Sequence, residues 1–236
     1  EKNRGTDMVI DSISSNEKVT GITGPLIFAS TILTHLVGGS SGREGAALQL
    51  GGSIGSVLGR VLKLDEKDLK IATMCGMSAV FSALFGTPIA AGVFSLEVVS
   101  IGVLYYAAMV PCLFSAYIGQ AVAGAFNIPP ENYPITQVPP VSFQSVGIAV
   151  LLGALCALVS MAFCIILHQA SHLYRQYFQN AYIRVLAGSA LFIVLTLAVG
   201  TDDYLGSGIV LMERAVEGQA RMEAFLLKMI FTAIAL

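Results

Sequence analysis

The stretch Gly38-Gly39-Ser40-Ser41-Gly42-Arg43-Glu44-Gly45-Ala46 sets an ionised pair and four glycines between two apolar runs long enough to sit in a bilayer. A carboxylate at that depth is costly, so its charge must face protein or water, and an ionisable residue in such a place marks a functional site by default. Ser40 and Ser41 are placed to cap a helix starting near Gly45. The glycines leave bare backbone N–H groups that can point at an anion or at the Glu44 carboxylate.

The surrounding composition supports the bilayer setting. Of 236 residues, 55% are hydrophobic and only 12% charged, with a mean hydropathy of +0.76, far more apolar than an ordinary soluble domain. The expectation is an all-α polytopic, multi-pass integral membrane protein of the plasma or inner membrane. A net charge of −2 and a pI near 5.9 offer no basic surface, which excludes nucleic acid as a partner class. Cys75, Cys112, Cys156 and Cys164 lie inside apolar runs without CxxC or ligand spacing and read as thiols packed like small hydrophobes, and neither metal nor cofactor is expected. The chain opens on Glu1-Lys2-Asn3-Arg4 and closes inside an apolar run, so an internal fragment of a longer protein is expected.

Outward from the central stretch, Gly21 to Gly39 holds His35 as its only titratable side chain and, at about 1.5 Å per residue, nearly crosses a hydrocarbon core. Gly45 to Leu64 reads as a helix in which Gly51, Gly55 and Gly59 recur every fourth residue, a row that lets helices approach closely. Lys63 to Lys70 is a mixed-sign, solvated loop and helix start. From Ile71 to Ile128 Glu97 is the only charged residue; Thr87-Pro88 signals a helix start, and Pro111 is expected to kink or interrupt the next helix. Five prolines in 127–142 predict an extended extramembrane loop. A long apolar helix then runs from Val141 to His172, ending among aromatic and basic residues suited to an interface, and Ile183 to Gly200 gives a further span. His168 and His172, spaced i, i+4, lack the third partner a metal site needs. Met222 to Leu236 begins another span.

Two polar glycine turns, Gly5-Thr6-Asp7 and Gly206-Ser207-Gly208, each open a short helix followed by a longer apolar run. Weak duplication of this kind is the trace of an inverted-repeat transporter whose broken helices place their N-terminal ends near the bilayer midplane. Such ends attract an anion through partial charges and free N–H groups without gripping it as fixed cations would.

Gly42-Arg43-Glu44-Gly45-Ala46, followed by Leu48-Gln49-Leu50-Gly51-Gly52-Ser53-Ile54-Gly55, resembles the GREGP signature of the CLC family of chloride channels and proton-coupled anion transporters, with Ala46 in place of proline. Phe85-Gly86-Thr87-Pro88-Ile89-Ala90-Ala91-Gly92-Val93-Phe94-Ser95-Leu96-Glu97 resembles a second segment of that family at the right separation. The resemblance implies a CLC-type inverted repeat of tilted and broken helices, with 1–128 as most of the first repeat, 129–140 as the extramembrane loop and 141–236 as the first part of the second. It implies Glu44 as the gating glutamate, which occupies an anion site when ionised and takes up a proton or swings away to let an anion pass. Backbone amides of Gly42, Arg43, Gly45 and Ala46 would line that site, together with the turn at Gly5, Thr6 and Asp7. Glu97 matches the first of two adjacent acidic residues of chloride/proton exchangers, whereas Val98 stands where the internal proton-transfer glutamate would be. The family's GSGIP turn is also missing its serine in the Asn3–Asp7 neighbourhood. Both departures resemble the fluoride/proton antiporter branch, and passive chloride channels share the missing internal glutamate. A homodimer with two separate pores is implied, the helices at 87–126 supplying part of its interface.

The expected function is therefore transport of chloride or fluoride across a lipid bilayer, with protons as counter-substrate through Glu44; a passive gated chloride channel is the alternative. An intramembrane enzyme using Glu44 as a base is disfavoured, because no nucleophile, metal cluster or second carboxylate accompanies it. A structural ion pair between Arg43 and Glu44 is disfavoured too, since adjacent side chains on a turn pair poorly and would bury two charges for little gain.

Overall fold

The computed structural model describes residues 9–11, 13, 20–99, 105–131, 140 and 142–235, and among them helices and turns occur without a strand. Contacts divide the chain into two compact units, residues 1–36 with 42–132 and residues 37–41 with 133–236. The dividing line falls inside the glycine-rich stretch itself, between Ser41 and Gly42.

In the first unit, helix α1 spans Thr23–Leu36, 14 residues, shorter than the Gly21–Gly39 run. It stops because Gly38 adopts a left-handed φ of 78°, which turns the chain out of the helix. Helix α2 covers Glu44–Val61 and α3 covers Glu66–Phe85. The loop between them reads as its charges predict: the Asp65 carboxylate accepts from the Asp68 N–H at 2.8 Å, a cap worth about 1 kcal/mol. Gly86 at φ 68° closes α3. Helix α4, Pro88–Glu97, starts with Pro88 in its first turn, where a missing N–H costs nothing, although the Thr87 side chain makes no cap bond. Pro111 is placed in the same way, at the start of the next helix and not within it. Helix α5 spans Met109–Ala125 after a 3₁₀ turn at Tyr106–Ala108, so Pro111 falls in a first turn that has no i−4 carbonyl to lose.

Small residues bring these helices together. A Cβ on Gly51 of α2 or on Gly76 of α3 would overlap the other glycine's carbonyl oxygen, so the two backbones touch there. Between α3 and α5 two serines reach across reciprocally: Ser78 Oγ donates to the Cys112 carbonyl and Ser115 Oγ to that of Cys75, both at 2.8 Å. Phe81 of α3 stacks on Phe94 of α4 with ring centroids 4.6 Å apart. Val9, Ile13, Leu48, Met74, Met77, Leu96 and Cys112 form the buried apolar core around these contacts.

In the second unit, α6 runs over 35 residues, Phe143–Tyr177, capped by Ser142, whose Oγ accepts from the Ser145 N–H at 3.1 Å. At about 1.5 Å per residue it exceeds a hydrocarbon core and carries its aromatic and basic end beyond it. None of its residues is buried within the chain. Within this chain Cys156 and Cys164 are exposed on the apolar α6, whereas Cys112 is buried and Cys75 half-buried in the first unit. Helix α7 spans Ala181–Val199, α8 Ile209–Val216 and α9 Met222–Ile234. Phe231 is fully buried, meeting Phe192 edge-on at 5.4 Å and Tyr204 at 5.2 Å, with Leu211 and Ala224 completing the cluster. Among the described residues, Glu66–Phe85, Tyr106–Ala125, Phe143–Tyr177 and Ala181–Val199 are long and apolar enough to cross a membrane.

Candidate anion site

Glu44 is the first residue of α2, and the first intrahelical bond runs from the Ala47 N–H to the Arg43 carbonyl at 2.9 Å. The N–H groups of Glu44, Gly45 and Ala46 therefore have no carbonyl acceptor one turn back, and the positive end of the helix dipole adds to their pull on an anion. The Glu44 carboxylate folds back over Gly42, occupying the space that a Cβ at Gly42 would take. Gly42, Arg43, Glu44, Gly45 and Ala46 are thus brought together at one helix start, with the Glu44 side chain exposed.

The cap position of this helix is not a serine. Arg43 occupies the cap position in a helical conformation and makes no side-chain cap bond. The Ser40 hydroxyl is buried and engaged elsewhere in its own unit: it accepts from Lys228 Nζ at 2.8 Å and lies 3.2 Å from Thr232 Oγ1. A polar partner inside the fold outcompetes a loose cap at the surface.

The Arg43 guanidinium turns away from its neighbour and pairs with Glu131. Glu131 is itself held, its N–H bonded to the Leu84 carbonyl at 2.9 Å. Pro130 lies against Gly86, and Gln120 Nε2 donates to the Gly86 carbonyl at 3.2 Å. Glu44 belongs to neither the Arg43–Glu131 nor the Arg214–Asp203 pair.

Glu97 is the last residue of α4, exposed, with no hydrogen bond or ion pair to Glu44 among the described residues. Its neighbour Val98 is half-buried against the apolar core. Gly5, Thr6 and Asp7 lie outside the described residues. The turn at Gly206–Gly208 precedes α8, with left-handed φ of 64° and 87° at its two glycines.

Two residues, one in each unit, escaped the sequence reading. Lys228 on α9 donates to Ser40 Oγ, to the Tyr204 carbonyl at 2.9 Å and to the Gly206 carbonyl at 2.7 Å, which spends all three ammonium protons. The Gly206 N–H returns a bond to the Gly38 carbonyl at 3.1 Å. Lys228 carried a usable signal, being a single charge within the apolar run 224–236. Glu131, next to Pro129-Pro130, gave none, because a charge in a proline-rich loop reads as solvated.

The family described as voltage gated chloride channel matches residues 1–236. A chloride/fluoride channel protein of Pseudomonas syringae pv. tomato is 32% identical over 239 residues, covering 98% of this chain and 53% of that protein. An uncharacterized protein of Methanocaldococcus jannaschii is 29% identical over 123 residues, covering 51% of this chain and 30% of its own length. A crystal structure of a CLC-type fluoride/proton antiporter superposes with a TM-score of 0.91 at 29% identity, covering 98% of this chain and 59% of that one. The chain thus spans little more than half of the Pseudomonas relative and of the antiporter. With apolar spanning helices, the signature at the start of α2 and a family match over its whole length, the chain belongs to the voltage gated chloride channel family of multi-pass integral membrane proteins.

Proposed function

We propose that the complete protein is a CLC-type transporter that carries a halide, chloride or fluoride, across the bilayer and exchanges it for protons through Glu44. One observation carries the reading: a carboxylate at the first position of α2, folded over Gly42 beside N–H groups without helical acceptors. Such a carboxylate and a halide compete for one set of donors. Ionised, Glu44 fills the site; protonated, it yields the site to an anion, and this exclusion links proton uptake to anion passage. Backbone amides from Gly42 to Ala46 are the anion donors in this scheme, with the turn at Gly5, Thr6 and Asp7 contributing a second group. Similarity to a chloride/fluoride channel protein and to a fluoride/proton antiporter supports a halide cargo and, through the latter, a proton partner.

Glu97 takes a subordinate part, as an acidic residue near the second proton entry. A passive channel remains the second reading, favoured by Val98 standing where exchangers of chloride carry their internal glutamate. The scheme divides the chain into residues 1–128 as most of one repeat, 129–140 as the connecting loop and 141–236 as the first part of the other. It also makes the protein a homodimer joined partly through residues 87–126; the exposed Val110, Phe114 and Ile118 on α5 support an apolar partner there.

The test is the Glu44→Gln variant of the complete protein in liposomes. Anion efflux is expected to persist while coupled proton movement disappears. An unchanged ratio of protons to anions overturns the assignment of Glu44, and efflux from the unaltered protein without any proton movement selects the channel.

A further inference from the structure

Arg43 stands next to Glu44 in the chain, and a free guanidinium there would be the nearest cation to an ionised gate. Its positive charge would hold that gate in the ionised, site-filling state and oppose the exchange with an incoming anion. The structure spends this charge elsewhere. Glu131 takes the guanidinium; the Glu131 side chain is only 17% exposed, while that of Arg43, at 39%, stays in reach of solvent, so the hold on Arg43 comes from a carboxylate fixed in place. Glu131 is in turn fixed by the bond of its N–H to the Leu84 carbonyl at the end of α3 and by Pro130 seated on left-handed Gly86. That glycine's carbonyl is tied to Gln120 of α5. The carboxylate is thereby presented from the junction of α3, α5 and the loop that follows, on a backbone with little freedom to follow Arg43 if Arg43 moved.

We propose that Glu131 is a positioning residue for the gate: by sequestering Arg43 it leaves Glu44 without a fixed cation partner, so that Glu44 exchanges freely with the anion at the start of α2. This deepens the reading of Glu44 as the gate and rests on it. Glu131 makes no contact with the anion in this role and acts through Arg43 alone. A plain loop staple, the competing explanation, would hold the fold equally well whatever residue occupied position 44.

The two explanations separate by background. In the complete protein, reconstituted and normalised to folded protein, Glu131→Gln is expected to slow halide efflux by about tenfold, the equivalent of about 1.4 kcal/mol, when Glu44 is present. In the Glu44→Gln background the same change is expected to alter efflux by less than about twofold, because no carboxylate remains for Arg43 to capture. Glu131→Asp, which keeps the charge but withdraws it from Arg43, should show the same dependence on Glu44 and serves if the glutamine variant does not fold. Equal losses in both backgrounds, or no loss in either, overturn the proposal. Failure of the underlying reading looks different: Glu44→Gln alone would then leave proton coupling intact.

Discussion

Gly42 is explained by its neighbour two residues on. Its backbone does not use the left-handed region, so glycine is not required there for conformation; what it provides is the volume into which the Glu44 carboxylate folds. Gly42→Ala therefore meets only the far end of a flexible side chain, which can move aside. The expected result is stability within about 0.5 kcal/mol of the unaltered protein, with halide efflux that persists but moves fewer protons per anion, because the carboxylate is displaced from the helix start. Thermal unfolding in detergent and the proton-to-anion ratio in liposomes measure the two effects separately, and an unchanged ratio would falsify this account. The same residue scale shows why the charge pair was legible and its partner was not. Position 43 next to 44 argued against a mutual pair on local geometry, but finding Glu131, 88 positions along, required a tertiary contact that no local pattern encodes.

At the scale of elements, spacing rules worked where the determinant is local and failed where it is relational. Asp65, Gly86, Pro88 and Gly200 bound helices where turn and cap chemistry places them. Ser40 and Ser41 carried an equally good cap signal before α2, yet Ser40 is drawn to Lys228 and Thr232, because a half-buried ammonium needs acceptors more than a helix start open to solvent needs a cap. The glycine row in α2 was legible as a close-packing device, and Gly76 of α3 is the partner it meets. Placing a methyl at that contact must separate α2 from α3 or bend one of them. Gly76→Ala is expected to destabilise the protein by about 1–3 kcal/mol. Gly153→Ala in α6, which meets nothing within 4 Å, is expected to be neutral or to gain up to about 1 kcal/mol from helix propensity. Parallel denaturation of the two variants in the same detergent tests the contrast, and equal effects would refute the claim that the α2–α3 contact is the reason for glycine.

For the whole molecule, the decisive quantity is how many charges move and in which direction. An anion passing one way and a proton the other carry charge in the same electrical sense, so coupled exchange must respond to membrane potential, whereas an electroneutral process must not. Under the proposed scheme, with Glu44 at the α2 start and Val98 where exchangers of chloride carry an acid, proton movement passes through Glu44. The complete protein in liposomes with equal halide and equal pH on both sides should therefore be driven by potential alone. An inside-positive potential pulls the anion in and pushes protons out, and the lumen becomes alkaline; reversing the potential acidifies it. With Glu44→Gln the electrical current should persist while the pH change vanishes, because anion passage no longer requires the carboxylate to give up and regain its proton. A current with no pH change in the unaltered protein identifies a channel, and a pH change insensitive to the sign of the potential is incompatible with anion and proton moving in opposite directions through one gate.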